Sequence, residues 1–289
     1  MLKRNRIALN RIISPSPSLK DFFSFARSLG LSKVELRNDL PGRPGISGII
    51  DGLKPAGAAR MARDEGIEII TINALQKFNL PSERQRCVEE LKGLLELSSA
   101  LGCKAVVLCP NNEKDDRRSG AEQYRDTVAA LTEYGPLFAE YGVLGYIEAL
   151  GFSISSLASL PAALGAARAS GFACYKTLLD SFHHYIGPDT EHIFGMDGLG
   201  ASYETAYTGL VHLSGVEGTI PLAEYRDEHR VLPGPADTMG NKELIARLLG
   251  LGYTGDFSFE PFSETIQRLS PGEAASAIEA SLHYLGVMP

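Results

Sequence analysis

Short apolar runs rich in β-branched residues alternate along the chain with longer stretches in which apolar positions recur every three or four residues. The short runs are Arg6–Asn10, Lys33–Arg37, Ile67–Asn73, Lys104–Cys109, Val143–Glu148, Cys174–Asp180, Leu210–Ser214 and Asp256–Glu260. They predict eight strands. The stretches between them predict amphipathic helices, as in Leu19, Phe22, Phe23, Ala26 and Leu29, or Val88, Leu91, Leu94, Leu95 and Ser98. Gly30, Gly66, Gly102, Gly142, Gly171 and Gly252 each stand shortly before a strand, where a glycine past a helix end turns the chain. Eight such units in series predict a (β/α)8 TIM barrel, one domain over residues 1–289. An open doubly wound sheet is the competitor, and it expects a GxGxxG turn after the first strand. The chain has Arg11-Ile12-Ile13-Ser14-Pro15-Ser16-Pro17 there. The longest irregular piece, Gly215 to Gly240, follows the seventh strand, where a βα loop overhangs the active face of a barrel.

Composition narrows the partners. At 44% hydrophobic and 22% charged residues the chain is not a disordered one. With 28 Lys+Arg against 35 Asp+Glu, its net charge of -7 builds no positive field for a phosphate backbone, so nucleic acid is not expected. Cys87, Cys103, Cys109 and Cys174 form no CxxC pair and no disulfide framework, which suits a reducing cytoplasm. After Lys3, Arg4 and Arg6 the apolar run is only Ile7-Ala8-Leu9, too short for a signal-peptide core, and no stretch approaches a membrane span. The expected protein is cytoplasmic, works on a small molecule and engages no membrane. Homo-oligomerisation is left open.

The active face of a barrel collects residues from the C-terminal ends of its strands. Here strand five ends at Glu148, strand six at Asp180, strand seven near His212 and strand eight at Glu260. Singly, each has an ordinary explanation: a strand-end carboxylate caps the next helix or pairs with a cation, and a lone histidine is hydrogen-bonded in the core. Four on adjacent strands are harder to explain that way. Three carboxylates crowded around an imidazole repel one another, and a divalent cation, Mn2+, Mg2+, Co2+ or Zn2+, resolves the conflict. His183, three residues beyond Asp180, and Arg230, in the long loop, are candidates for contacting substrate. Their ordinary alternatives are packing on Phe182 or Tyr185 and a surface ion pair with Asp227 or Glu228. Glu35, Arg37, Asn73 and Gln76 fall at or past the ends of strands two and three, and the sequence does not rank them. Cys109 reads as a buried thiol on a strand.

These residues carry a resemblance. The chain resembles the xylose isomerase-like (sugar phosphate isomerase/epimerase) barrels, and within them the 2-keto-myo-inositol isomerase (inosose isomerase) branch. The segments that carry it are Val34-Glu35-Leu36-Arg37, Asn73-Ala74-Leu75 with Phe78-Asn79, Leu179-Asp180-Ser181-Phe182-His183, Asp227-Glu228-His229-Arg230 with Pro233-Gly234, and Phe259-Glu260-Pro261-Phe262. The resemblance implies that Glu148, Asp180, His212 and Glu260 hold one divalent metal ion and that His183 and Arg230 bind substrate. It also implies that Glu148 and Glu260 move a proton beside a ketone through an ene-diolate. Inosose isomerisation in inositol catabolism is the leading expectation, with a ketose 3-epimerase or hydroxypyruvate-type isomerase second. A non-catalytic polyol-binding barrel with a structural metal is the alternative from another class. The chain departs from the related trizinc endonucleases, which need further histidines at the ends of strands three and four. It has Thr71-Ile72-Asn73 and Leu108-Cys109-Pro110 there, although Asp227-Glu228-His229 keeps the look of one endonuclease ligand pair.

Overall fold

A computed structural model describes residues 2–189 and 204–288. Eight parallel strands close into a barrel: β1 Ile7–Asn10, β2 Lys33–Arg37, β3 Glu68–Gln76, β4 Ala105–Cys109, β5 Leu144–Glu148, β6 Tyr175–Asp180, β7 Thr208–Leu213 and β8 Asp256–Phe259. Each strand pairs with its neighbours in sequence, and β1 meets β8 through Ile7↔Phe257 and Leu9↔Phe259 to shut the cylinder. The helices of six or more residues among the described residues are α1 Leu19–Ser28, α2 Pro55–Asp64, α3 Arg84–Leu101, α4 Gly120–Tyr141, α5 Leu160–Ala169, α6 Ser181–Ile186, α7 Asn241–Gly250 and α8 Pro271–Tyr284. None of the described helices is long and apolar enough to cross a membrane.

The helices form where local signals and a buried face agree. In α1, Ser18 accepts a hydrogen bond from the Asp21 amide at 3.2 Å, and Leu19, Phe22, Phe23 and Ala26 turn inward. Burying a side chain the size of those phenylalanines contributes roughly 1.5–3 kcal/mol. At the start of α4, Ser119 and Glu122 cap each other's backbone, and Gly102 and Gly142 end α3 and α4 in the left-handed region, at φ 70° and 64°.

Side chains alternate along each strand, and this two-residue period sorts the interior into two compartments. Val106 and Leu108 of β4 pack outward into the helix-facing core, whereas Ala105, Val107 and Cys109 point into the lumen. The same alternation turns Tyr146, Leu178 and Leu210 inward as an apolar layer, with Ile147, Leu179 and Val211 outward. Two residues further along the same three strands come Glu148, Asp180 and His212. They therefore face the lumen at its C-terminal end.

The structure adjusts the sequence reading at several edges. Strand β3 runs to Gln76, and Glu260 lies one residue past the end of β8. A two-stranded hairpin, Asp39–Leu40 with Arg43–Pro44, follows β2. The segment after β7 folds back on itself through antiparallel bridges Gly215↔Val231 and Glu217↔Asp237 and carries short 3-10 turns at Leu222–Glu224 and Asp227–His229.

Candidate metal centre

Glu148, Asp180, His212 and Glu260 are all buried, and one ligand atom from each lies within 4.8 Å of those of the other three. The His212 Nδ1 is 3.0 Å from Glu260 Oε2, 3.5 Å from Glu148 Oε1 and 3.7 Å from Asp180 Oδ2. Despite these neighbours Nδ1 makes no hydrogen bond. Its other ring nitrogen, Nε2, is 3.1 Å from the Glu35 carboxylate, which also accepts from Thr71 and from Asn10 Nδ2. Glu35 orients the ring, leaving Nδ1 aimed at three carboxylate oxygens.

Each carboxylate is held differently. Asp180 gives Oδ1 to the amides of Phe182 and His183, at 2.7 and 2.9 Å, as the cap of α6. Its Oδ2 takes Arg230 Nη2 at 2.5 Å. Glu260 Oε1 accepts from Arg37 at 2.6 Å and from Asn10 and Asn73 at 3.0 Å, and its Oε2 accepts from Arg230 at 2.8 Å. Glu148 Oε2 accepts from the Cys109 thiol at 3.3 Å.

Burial opposes charge on all these groups, and the neighbours overcome it. Desolvation alone would raise the carboxyl of Glu260, but His212 and Arg230 hold it down at about 2. Asp180 lies below the usual carboxylate range for the same reasons, with burial outweighed by Arg230 and His183. Burial disfavours the His212 imidazolium, yet Glu260 and Glu35 push its pKa well above the ordinary value. Burial keeps the Cys109 thiol protonated, reinforced by Glu148.

The donor set fits a divalent cation. Four buried carboxylates, Glu35, Glu148, Asp180 and Glu260, face two buried guanidiniums, Arg37 and Arg230. Once a cation displaced the imidazole proton, with all four carboxylates ionised, two negative charges would be uncompensated, the charge a divalent ion supplies. An Nδ1 without a hydrogen-bond partner and three carboxylate oxygens offer it one nitrogen and three oxygen ligands.

Beside the cluster lies a cavity of about 200 Å³ whose wall includes Arg37, Asn73, Gln76, His183, Arg230 and Phe262. His183 is buried, with Nδ1 unbonded, and its ring meets Phe152 edge-on at 5.1 Å. Arg230 is only 1% exposed and stands over the rings of Phe182 and Phe262, so the surface ion pair is not its setting, although Asp227 does reach it at 3.2 Å. All six site residues expected from the sequence thus come together at one end of the barrel. The fold adds Asn10, which the sequence reading passed over, and gives Glu35, Arg37, Asn73 and Cys109 definite partners.

The model of one family, the xylose isomerase-like TIM barrel, matches residues 23–285. The chain belongs to that family. A xylose isomerase domain containing protein from Salmonella typhimurium LT2 is 35% identical, with a TM-score of 0.89 over 99% of this chain and 98% of that one. The IolI protein, solved with a bound zinc atom, is 22% identical, with a TM-score of 0.84 over 97% of this chain and 98% of that one. D-psicose 3-epimerase from Clostridium cellulolyticum H10, solved with D-tagatose, is 15% identical, with a TM-score of 0.72 over 97% of this chain and 99% of that one. No curated protein matches the sequence. For this member of the xylose isomerase-like barrels, likeness at such low identity to the last two establishes the shared fold.

Proposed function

We propose that the protein is a divalent-metal-dependent isomerase of polyhydroxy ketones, with 2-keto-myo-inositol (inosose) as the leading substrate. The observation that carries this reading is His212 Nδ1, buried without a hydrogen bond among oxygens of Glu148, Asp180 and Glu260. The zinc in IolI and the ketose epimerase of the same fold support it.

A cation held by Glu148, Asp180, His212 and Glu260 would supply positive charge against the negative charge that develops on the oxygens of an ene-diolate. The chain's own residues do the rest. Glu148 and Glu260 stand on either side of Asp180 and His212 in strand order, one assigned to take the proton from carbon and the other to return it. Their surroundings divide the roles. Glu260 accepts four hydrogen bonds and is held at about 2, which makes it a weak base, whereas among the described residues Glu148 accepts only from the Cys109 thiol. Glu148 is therefore assigned the first proton abstraction. Arg230 and His183 donate to substrate oxygens from the cavity wall, and Phe152 and Phe262 exclude water from it.

The test is proton exchange in deuterated water, with the metal-loaded protein and a panel of inososes and ketoses, read by NMR. Exchange beside the ketone is expected with an inosose, abolished by chelation and restored by adding metal back. Glu148→Gln is expected to lower the rate about 10²–10⁴-fold. Exchange at C3 of a ketose, with none in inososes, would move the assignment to a 3-epimerase. Binding of polyols with no exchange in any of them would leave a non-catalytic barrel.

A further inference from the structure

Four polar side chains on the wall of the cavity beside the centre give hydrogen bonds to its carboxylates: Arg37, Asn73 and Arg230 to Glu260, and Cys109 to Glu148. Gln76 lines the same cavity and gives none. Its side-chain amide has no hydrogen-bond partner among the described residues. Unlike His183 Nδ1, which is sealed within the protein, its nitrogen and oxygen both keep accessible surface. Strand register sets where that amide points. Ala74 faces the lumen and Leu75 the helices, so the two-residue period turns Gln76 inward. Across the ladder Gln76 pairs with Cys109, itself lumen-facing, whose thiol donates to Glu148. Gln76 thus stands one strand further round the rim from the thiol that touches the assigned base. Its main chain is pinned: the carbonyl accepts from Arg86 Nη2 at 2.8 Å, and Lys77 leaves the strand at φ 55°, in the left-handed region that L side chains rarely adopt. A half-buried amide on a fixed backbone, with its donor and its acceptor both free, is preorganised for a ligand.

We propose that Gln76 is a substrate-binding residue that recognises two adjacent hydroxyls, its oxygen accepting from one and its nitrogen donating to the other. The proposal rests on the keto-polyol reading of the metal centre and deepens it. It states what the substrate carries besides the ketone and the hydroxyl beside it: a further vicinal diol, turned towards β3 and β4. A primary amide suits that task, because one planar group offers a donor and an acceptor side by side. A three-carbon hydroxyketone has no such pair left once its ketone and hydroxyl face the carboxylates. Gln76 therefore selects longer chains or rings of contiguous hydroxylated carbons, and a ligand lacking one of the two hydroxyls leaves half of the amide unpaired.

Calorimetry on the metal-loaded protein, with myo-inositol and its monodeoxy analogues as probes, tests this without turnover. Removing either of two neighbouring hydroxyls is expected to weaken binding about fivefold or more, one hydrogen bond each. Gln76→Leu, which keeps the bulk and removes the amide, is expected to weaken myo-inositol and to bring both of those ratios close to one, with the metal content unchanged by elemental analysis. Gln76→Glu keeps acceptors and loses the donor, so it is expected to stay sensitive at one of the two positions only. It also serves as the second variant should the leucine disturb folding. Deoxy ratios that neither substitution moves, or no neighbouring pair of hydroxyls that matters, overturn the role of Gln76 and leave the metal centre as it stands. No binding of any of these polyols, together with no proton exchange in any ketone, overturns the keto-polyol reading and this proposal with it.

Discussion

Asp180 divides its two oxygens between two tasks. Oδ1 caps α6 through the amides of Phe182 and His183, while Oδ2 faces His212 and Arg230. The ordinary strand-end cap is thus present in the same residue that offers an oxygen to the candidate metal centre. Two substitutions separate them. Asp180→Asn keeps an oxygen acceptor for the cap but gives up the charge that faces Arg230, and is expected to lower both the urea midpoint and the bound metal, the latter measured by elemental analysis. Asp180→Ala is expected to lose both, costing about 1 kcal/mol for the cap in addition to the metal. His212→Ala should also lower the metal content, and content in all three variants equal to that of the unsubstituted protein would remove the site.

The buried charges also give stability a pH dependence. The carboxyl of Glu260 lies at about 2 against an ordinary 4.5, so the folded state is favoured above 4.5 and that contribution is lost as the pH falls towards 2. Asp180 acts in the same direction. His212 has the opposite sign: its raised pKa favours the folded state below the ordinary 6.5, and this is lost as the pH rises through the elevated folded value. Metal-free protein is expected to weaken in urea between pH 4.5 and 2, and Glu260→Gln to flatten that slope. At this scale the ionisable ends of four strands were legible in the sequence because each follows an apolar run. Asn10 and Cys109 were not, since a small polar residue or thiol at a strand end looks the same whether it faces a ligand carboxylate or the core. Arg230 was half legible, because Asp227 and Glu228 offer it equally plausible partners within its own loop.

At the level of elements, glycine placement and capping fix where helices hand over to strands. Gly102 ends α3 at φ 70°, and beyond its own chain neighbours no atom lies within 4 Å of where a Cβ would stand. Gly102→Ala is therefore expected to cost about 1 kcal/mol from backbone conformation alone, and Gly102→Asn less. A denaturant titration checks this, and an unchanged midpoint would contradict the account. Strand positions were readable because six of the eight strands follow a glycine at positive φ and the strands are apolar. The Asp39–Pro44 hairpin and the extension of β3 to Gln76 were not, because two-residue strands have no period to detect and β3 continues past its register shift beside β4.

Across the whole molecule, the two halves of the barrel share the centre unequally. Strands β5, β6 and β7 and the residue after β8 carry the four candidate ligand side chains, while Asn10, Glu35, Arg37, Asn73 and Cys109 on β1 to β4 contact them directly or through one another. Binding to the folded state alone stabilises it by about 2.7 kcal/mol at a hundred times the dissociation constant. For a chain of this length that is a rise of about 4–5 °C in the melting temperature. A thermal shift of that size on adding Mn2+, Mg2+, Co2+ or Zn2+, lost in His212→Ala, is the expected outcome.

The seam between the first and last staves has a further consequence. Asn10 and Glu260 touch across it, at 3.0 Å, so one corner of the candidate ion site is braced across that seam. Ion release would then report unzipping of the cylinder before any helix had melted, and ion capture would mark the moment its final stave docks.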